Sequence, residues 1–299
     1  MDKISVVINT LNEEKNLPRA LASIKGFADE VVVVDMKSDD NTTQIATKFG
    51  AKVFEHPRAG YVEPARNYAI SKTSGNWILI LDADEELSAD LKAEIARVIK
   101  SKEADYFRIP RKNFIFGKWI KHSRWWPDYN IRLFKQGCVS WSEVIHSVPM
   151  TTGIGKDFDD KEDLAIVHHH YETVEQYLDR LNRYTSEHAK NLVKEGYKFD
   201  WVDLIHKPSA EFLSRYFQGG GYRDGIHGLA LSLLQSFSEL TLYLKVWQLS
   251  GFTKSNPHIK DVVDELKNAE SEVHYWEADT LLHEIGGLKH RIKRKLKIS

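Results

Sequence analysis

Two acidic stretches, each following a run of apolar or β-branched residues, hold the clearest chemistry in this chain. Asp82-Ala83-Asp84-Glu85 follows Trp77-Ile78-Leu79-Ile80-Leu81, and Asp35 closes Glu30-Val31-Val32-Val33-Val34. Aspartates one residue apart turn toward the same space where a strand ends and its pleat breaks. Together they suit a hard divalent cation, Mn²⁺ or Mg²⁺, which takes oxygen ligands and bridges phosphates. A carboxylate at the tip of a neighbouring strand, such as Asp35, accepts hydrogen bonds from a ribose or a base. The same residue types cap helices, a role for which Ser38 and Asp40 are well suited. In an open parallel sheet, ligands bind beyond the carboxyl ends of the strands, so both acidic stretches stand where a site is expected.

The elements that would position them follow from the hydrophobic pattern. Residues 4–9 and 30–35 are short and almost continuously apolar, as in strands buried on both faces. Helical spacing joins them at Leu17, Ala20, Leu21 and Ile24, and a second helix spans 42–49 with Gly50 as its C-cap. A strand at 51–55, a helix at 66–73, a strand at 77–81 and a helix at 89–100 complete an alternating series, the pattern of a doubly wound α/β sheet. Residues 105–150 then turn rich in aromatics and arginine, with strand-like pieces at 106–109 and 130–134, read as a partly antiparallel second half of the same domain. Helices are expected over 174–196, over 208–249 with an interruption at Gly219-Gly220-Gly221, and over roughly 259–296. The resulting division is a nucleotide-binding and catalytic domain over 1–172 and a helical region over 173–299, the latter for acceptor, membrane-surface or oligomer contacts.

In order along the chain, four strings spell a family. They are Val7-Ile8-Asn9-Thr10-Leu11-Asn12-Glu13-Glu14, then Val33-Val34-Asp35 with Ser38, Asp40 and Thr42, then Ala65-Arg66-Asn67, then Leu81-Asp82-Ala83-Asp84-Glu85. This text resembles the inverting family-two glycosyltransferases. Trp126-Pro127-Asp128-Tyr129, Arg132-Leu133-Phe134, Ile145-His146, His168 with Tyr171, 180–185 and Asp224-Gly225 with Gly228 narrow the resemblance to the lipopolysaccharide-core glucosyltransferase branch. The resemblance implies a GT-A fold and transfer of a hexose from a nucleotide sugar, UDP-linked, with inversion. It implies that Thr10, Asn12, Glu13 and Asp35 line the nucleoside and that Arg66 lies near the diphosphate. Asp82 would contact ribose or metal, Asp84 the metal, and His168 would complete the metal or diphosphate shell. The alternative for His168-His169-His170 is a surface or packing run at a helix entry.

Inversion needs a base that takes the acceptor's proton as its hydroxyl attacks. The family commonly reads His-Glu where this chain reads His146-Ser147. The candidate bases are then Asp128, Glu143 and His146, with Asp128 preferred because it matches a family position. Trp119, Trp125, Trp126 and Trp141 would line an acceptor cleft or pack in the core. A catalytically inactive nucleotide-sugar-binding module is the alternative that Ser147 raises. A nucleotidyltransferase is a further alternative, against which stands the lack of a Gly-rich basic loop after the first strand. No GxGxxG follows that strand and no GxxxxGK[ST] occurs, which argues against a dinucleotide oxidoreductase and a P-loop NTPase.

Composition bounds the rest. The 299 residues suffice for one large or two smaller domains, and a net charge of −1 argues against a polycation that coats nucleic acid. One cysteine, Cys138, allows no intrachain disulfide and fits a reducing compartment. No signal-peptide pattern and no long apolar run are evident, so a cytoplasmic location is expected, with a peripheral place on the inner face of the cell membrane. The expected acceptor is a glycan or lipid-linked. Lys289, Arg291, Lys293, Arg294, Lys295 and Lys297 form a basic tail that attracts anionic lipid or simply complements a helix end. Near-heptad spacing of Ile259, Val262, Leu266, Val273 and Trp276 suits pairing with a second copy.

Overall fold

The computed structural model describes residues 2–58, 62–141 and 149–297, and the chain divides into two compact units. The first comprises Met1–Ile115 and Trp126–His170; the second comprises Phe116–Trp125 and Tyr171–Ser299.

In the first unit, β1 (Ile4–Thr10), β2 (Glu30–Asp35), β3 (Lys52–Glu55) and β4 (Trp77–Ile80) alternate with α1 (Leu17–Ile24), α2 (Thr42–Phe49) and α3 (Glu63–Ser71). β5 (Glu85–Glu86), α4 (Ala89–Ser101) and β6 (Tyr106–Ile115) follow. Lys118–Trp119, in the second unit, is β7. β8 (Asp128–Lys135), β9 (Val139–Ser140), β10 (Met150–Thr151), β11 (Gly155–Asp157) and β12 (Ile166–Tyr171) complete the strands. The main sheet runs β3-β2-β1-β4-β8-β6-β12-β5. Its first four strands are mutually parallel, β8 is antiparallel to both β4 and β6, and β5 is antiparallel to β12.

Every residue of β1 and β4 is buried, which is why these runs lack polar alternation. Val6 and Ile8 face Leu17, Leu21 and Ile24 of α1 and Leu91 and Ile95 of α4, while Val7 faces Ala65 and Ala69 of α3. Each fully buried Val, Leu or Ile contributes about 1.5–3 kcal/mol. Helices on both faces therefore lock the strand order, and with it the edge where β1, β2 and β4 end. Gly50 caps α2 at φ 94°, as its position after the last periodic residue predicts. The doubly wound α/β sheet expected from the alternating pattern is present, with its antiparallel second half.

The second unit is helical. α5 (Val174–Lys194) starts at a capping box between Thr173 and Gln176 and packs through Ala189 on Leu242, Tyr243 and Val246 of α7 (Ile226–Leu249). Between them lies α6 (Asp203–Leu213), continued by a π turn at Ser214–Gln218 and a short 3₁₀ turn at Gly221–Asp224. The long last helix expected from sequence is two: α8 (Ile259–Ile285) and α9 (Leu288–Leu296). Gly286 and Gly287, at φ 70° and 103°, separate them, because that backbone region is open to glycine and breaks the i to i−4 ladder. Among the described residues no helix is long and apolar enough to cross a membrane.

Candidate active site at the strand ends

β1 and β2 end side by side, with Thr10 paired to Asp35 in register. The Asp35 carboxylate is 2% exposed and accepts from Thr10 Oγ1 at 2.9 Å, the Ser38 amide at 2.8 Å and Ser38 Oγ at 2.6 Å. The loops that follow the two strands are laced together. Ser38 Oγ accepts from the Asn12 amide, Asn12 Oδ1 from the Asp39 amide, and Thr42 Oγ1 from the Glu13 amide. Asn12, at φ 58°, makes the turn that permits this. Asn and Asp tolerate the left-handed region better than other residues with a Cβ, which explains the residue type there. Glu13 accepts from Asn16 Nδ2 at 2.9 Å and so ties the loop to the start of α1.

One strand over, β4 delivers Asp82 to the same edge; two strand spacings, about 10 Å, separate the tips of β2 and β4. Asp82 Oδ1 meets Arg66 Nη2 at 3.1 Å and Oδ2 meets Arg132 Nη2 at 2.7 Å. Burial opposes the charged form of Asp82, but Arg132 and Arg66 outweigh it and hold the carboxyl well below its usual range. Glu85, fully buried, also takes Arg132 Nη2, at 2.5 Å. Here burial dominates over Arg132 and, with Asp82 adding repulsion, raises the carboxyl. Arg66 comes from α3, where Ala65 and Ala69 anchor the helix in the core. Its Nε and Nη1 are buried without a hydrogen-bond partner among the described residues, and its guanidinium lies 5.8 Å from the Trp141 ring centre. Buried guanidinium N–H groups left in this state are costly unless an anion takes them.

Asp84 and His168 form the third part. Asp84 Oδ2 stands 3.4 Å from His168 Nε2, and His170 Nδ1 stands 3.1 Å from that same Nε2. On its other side, His168 Nδ1 lies 2.6 Å from Asn113 Oδ1. The Asn113 amide nitrogen donates to Asp128 Oδ2 at 3.2 Å, and a carboxylate accepts only, so the orientation of Asn113 is fixed. Its oxygen therefore faces His168 and accepts from Nδ1, which leaves Nε2 as the ring atom turned toward Asp84. Two ligands bonded to one divalent ion at about 2.1 Å stand roughly 3.0–3.4 Å apart, so this pair fits a shared cation. No three His, Cys, Asp or Glu side chains among the described residues converge as a metal site. The protein would supply two ligands and leave the other positions to water or phosphate oxygens, the usual way Mg²⁺ is held.

Glycosyl transferase family 2 matches residues 5–153. An uncharacterized glycosyltransferase of Rickettsia typhi is 35% identical over 259 residues, covering 84% of this chain and 88% of its own. The chain belongs to glycosyl transferase family 2. The lipopolysaccharide core biosynthesis glycosyltransferase LpsC of Rhizobium meliloti is 23% identical over 268 residues, 87% of this chain and 97% of that one. Among solved structures, S. aureus TarS 1–349 in complex with UDP aligns with a TM-score of 0.46 and 16% identity, covering 86% of this chain and 94% of that chain.

Within this glycosyltransferase, Thr10, Asn12, Glu13 and Asp35 gather at the β1 and β2 tips, and Arg66 lies beside Asp82. Asp84 lies beside His168. The histidine run lies on strand β12 and not at a helix entry, so His168 and His170 share one face while His169 turns the other way to Glu86 and Phe114. Asp128 is taken up structurally: Arg111 Nη2 lies 2.6 Å from its Oδ2, and Asn113 and Asn130 also donate to it. Burial raises its carboxyl, but Arg111 and these amides lower it on balance. Glu143, His146 and Ser147 lie outside the described residues. Trp126 and Trp141 belong to the first unit, Trp119 and Trp125 to the second.

Arg111, Asn113 and Arg132 hold the site together; only Arg132 stood out in the sequence, as part of a family string and not as a site residue. A signal was present in period two: Arg111 and Asn113 in β6, and Asp128, Asn130 and Arg132 in β8, are polar residues spaced by two. Because β6 and β8 are antiparallel, with Arg111 opposite Asp128, the two polar rows meet on one face.

Proposed function

We propose that this glycosyltransferase moves a hexose from a UDP-linked sugar to a glycan or lipid-linked acceptor, with inversion at the anomeric carbon and a divalent metal. The observation that carries this reading is the Asp84–His168 pair, set at ligand spacing two residues beyond Asp82, which Arg66 meets. Thr10, Asn12, Glu13 and Asp35 line the nucleoside, with Asp35 facing the ribose or base. Arg66 gives Nε and Nη1, which have no hydrogen-bond partner among the described residues, to diphosphate oxygens, and Asp82 aims Arg66 while meeting the ribose. Asp82 is a poorer metal ligand than Asp84, because each of its oxygens already holds a guanidinium. Mn²⁺ or Mg²⁺, when bound, supplies positive charge to the departing diphosphate.

The acceptor oxygen attacks the anomeric carbon, the carbon–phosphate oxygen bond breaks, and the diphosphate leaves with that electron pair. The acceptor's proton passes to a base. Asp128, clamped by Arg111, is a weak one, so the role falls to Glu143 or His146, and Asp128 instead orients His168 through Asn113. The donor site belongs to residues 1–172, and the helices of 173–299 meet the acceptor. A lipopolysaccharide-core acceptor is favoured by the motifs at 126–134 and 168–185.

The deciding experiment is thermal unfolding with UDP-glucose and other sugar nucleotides, with and without Mn²⁺. A ligand bound only by the folded state adds about 2.7 kcal/mol at a hundred times its Kd. Stabilisation by a UDP-sugar that requires Mn²⁺ and is lost in a folded Asp84→Ala variant is the expected result. Equal metal-dependent turnover in Asp84→Ala overturns the metal assignment, and no response to any sugar nucleotide overturns the donor site.

A further inference from the structure

Helix α9 is amphipathic the wrong way round for a helix that serves only to pack. At about 100° per residue, Leu288, Ile292 and Leu296 fall within an arc of roughly 80°. A helix in contact with its own protein normally buries such a stripe. Here the three side chains are 71%, 49% and 58% exposed, and Ile285, just before the glycine break, is 71% exposed. The helix instead meets α8 through its opposite side. Arg294, half-buried, pairs with Asp279 at 2.8 Å, and Lys297 pairs with Glu272 of the same helix. His290 and Lys293 are the other half-buried positions of α9, and both lie away from the apolar arc.

The exposed flanks of the stripe are cationic. Lys289 borders it on one side, Lys295 and Arg291 on the other, and all three are exposed. No acidic residue occurs between Gly286 and Ser299. An apolar arc edged by lysine and arginine matches the interface of a bilayer with anionic headgroups: the aliphatic side chains enter the acyl boundary and the cations meet phosphates. A second copy of the chain would bring this uncompensated positive charge against itself, which disfavours it as the occupant.

We infer that α9 is a membrane-surface anchor that lays Leu288, Ile292 and Leu296 into the headgroup region of an anionic bilayer. It stands on the helix geometry alone and needs no assumption about donor or acceptor. The glycine pair at 286–287 sets the helix off from α8 and lets it lie at its own angle. Substitutions on this exposed face touch neither the core nor the strand-end site.

The test is co-sedimentation of the full chain with phosphatidylglycerol vesicles and with phosphatidylcholine vesicles in 0.15 M salt. Binding to the anionic vesicles should exceed binding to the neutral ones by at least about tenfold and weaken with added salt. The triple variant Leu288→Ser, Ile292→Ser, Leu296→Ser and the double variant Lys289→Glu, Lys295→Glu should each lose most of it, roughly fivefold or more. Thermal midpoints of both variants should match the parent. Equal binding to both vesicle types, or full binding by the triple variant, overturns the inference. So does a dimer, seen by analytical ultracentrifugation, that the triple variant breaks while vesicles bind nothing. Turnover of a soluble acceptor is a separate readout: its loss would count against the proposed reaction and not against the anchor.

Discussion

The side-chain amide of Asn113 touches both Asp128 and His168, and this fixes its orientation. Its nitrogen faces the carboxylate of Asp128, so its oxygen takes the Nδ1 proton of His168, which leaves Nε2 as the atom turned toward Asp84 and the proposed cation. Asn113→Ala should therefore weaken Mn²⁺ binding about 10–100-fold, as loss of an outer-shell partner does, while the fold stays intact. Titration calorimetry in the presence of UDP reads the change; unchanged affinity would remove the chain Asp128–Asn113–His168 from the site. Asp128→Asn should likewise act on metal affinity more than on turnover at saturating metal. Turnover at saturating metal should instead fall ~10²-fold or more in either Glu143→Gln or His146→Gln, the loss expected of a missing general base. Equal turnover in both would return the role to Asp128. Arg66→Met keeps much of the side-chain volume and removes the charge-assisted hydrogen bonds, so UDP-sugar affinity should fall about tenfold or more. Much at this scale was open to reading, since Asp35, Asp82 and Asp84 announce themselves by following apolar runs. The supporting arginines and Asn113 did not, because their partners lie on other strands and only the sheet's register brings them within reach.

Elements were legible where local rules agree with burial. The runs of β1, β2 and β4 are apolar throughout because helices cover both faces, and α2 stops at Gly50 where a positive φ is needed. Local rules gave out where long-range contacts decide. β6 extends to Ile115 and β8 begins at Asp128, beyond the apolar pieces visible in sequence, because their polar rows pair across the sheet. The pattern from 259 to 296 reads as one helix because two glycines hardly alter its periodicity, yet they end it. At Gly228 the constraint is close approach. A Cβ there would stand 1.8 Å from the Gly221 carbonyl oxygen, so α7 and the preceding turn fit only while position 228 is glycine. Gly228→Ala should cost at least about 1–3 kcal/mol by overpacking, although alanine is the better helix former. A urea midpoint at or above that of the parent would show that the turn moves aside freely.

Across the whole molecule the acidic groups do not titrate alike, and this should shape stability in acid. Glu30 sits at the start of β2, at the opposite end of that strand from Asp35, and takes Lys52, Ser5 Oγ and both the amide and hydroxyl of Ser74. Burial alone would raise its carboxyl, but Lys52, Ser5 and Ser74 outweigh it and lower the group from 4.5 to about 2. A carboxylate depressed in the folded state stabilises fully above its unfolded value, and the contribution fades as pH falls from about 4.5 toward about 2. Asp82 and Asp128, also lowered, act in the same direction, whereas Glu85, raised by burial, acts in the opposite one. Glu30→Gln isolates the effect without touching the candidate site. At pH 7 the variant should be less stable by up to about 3 kcal/mol, the ceiling set by the shift. That gap should narrow steadily below pH 4.5, because the parent then loses what the variant never had. Urea midpoints at intervals from pH 7 to pH 3.5 measure it, and a gap that stays constant over that range would mean the Glu30 charge contributes nothing to the acid sensitivity of the fold.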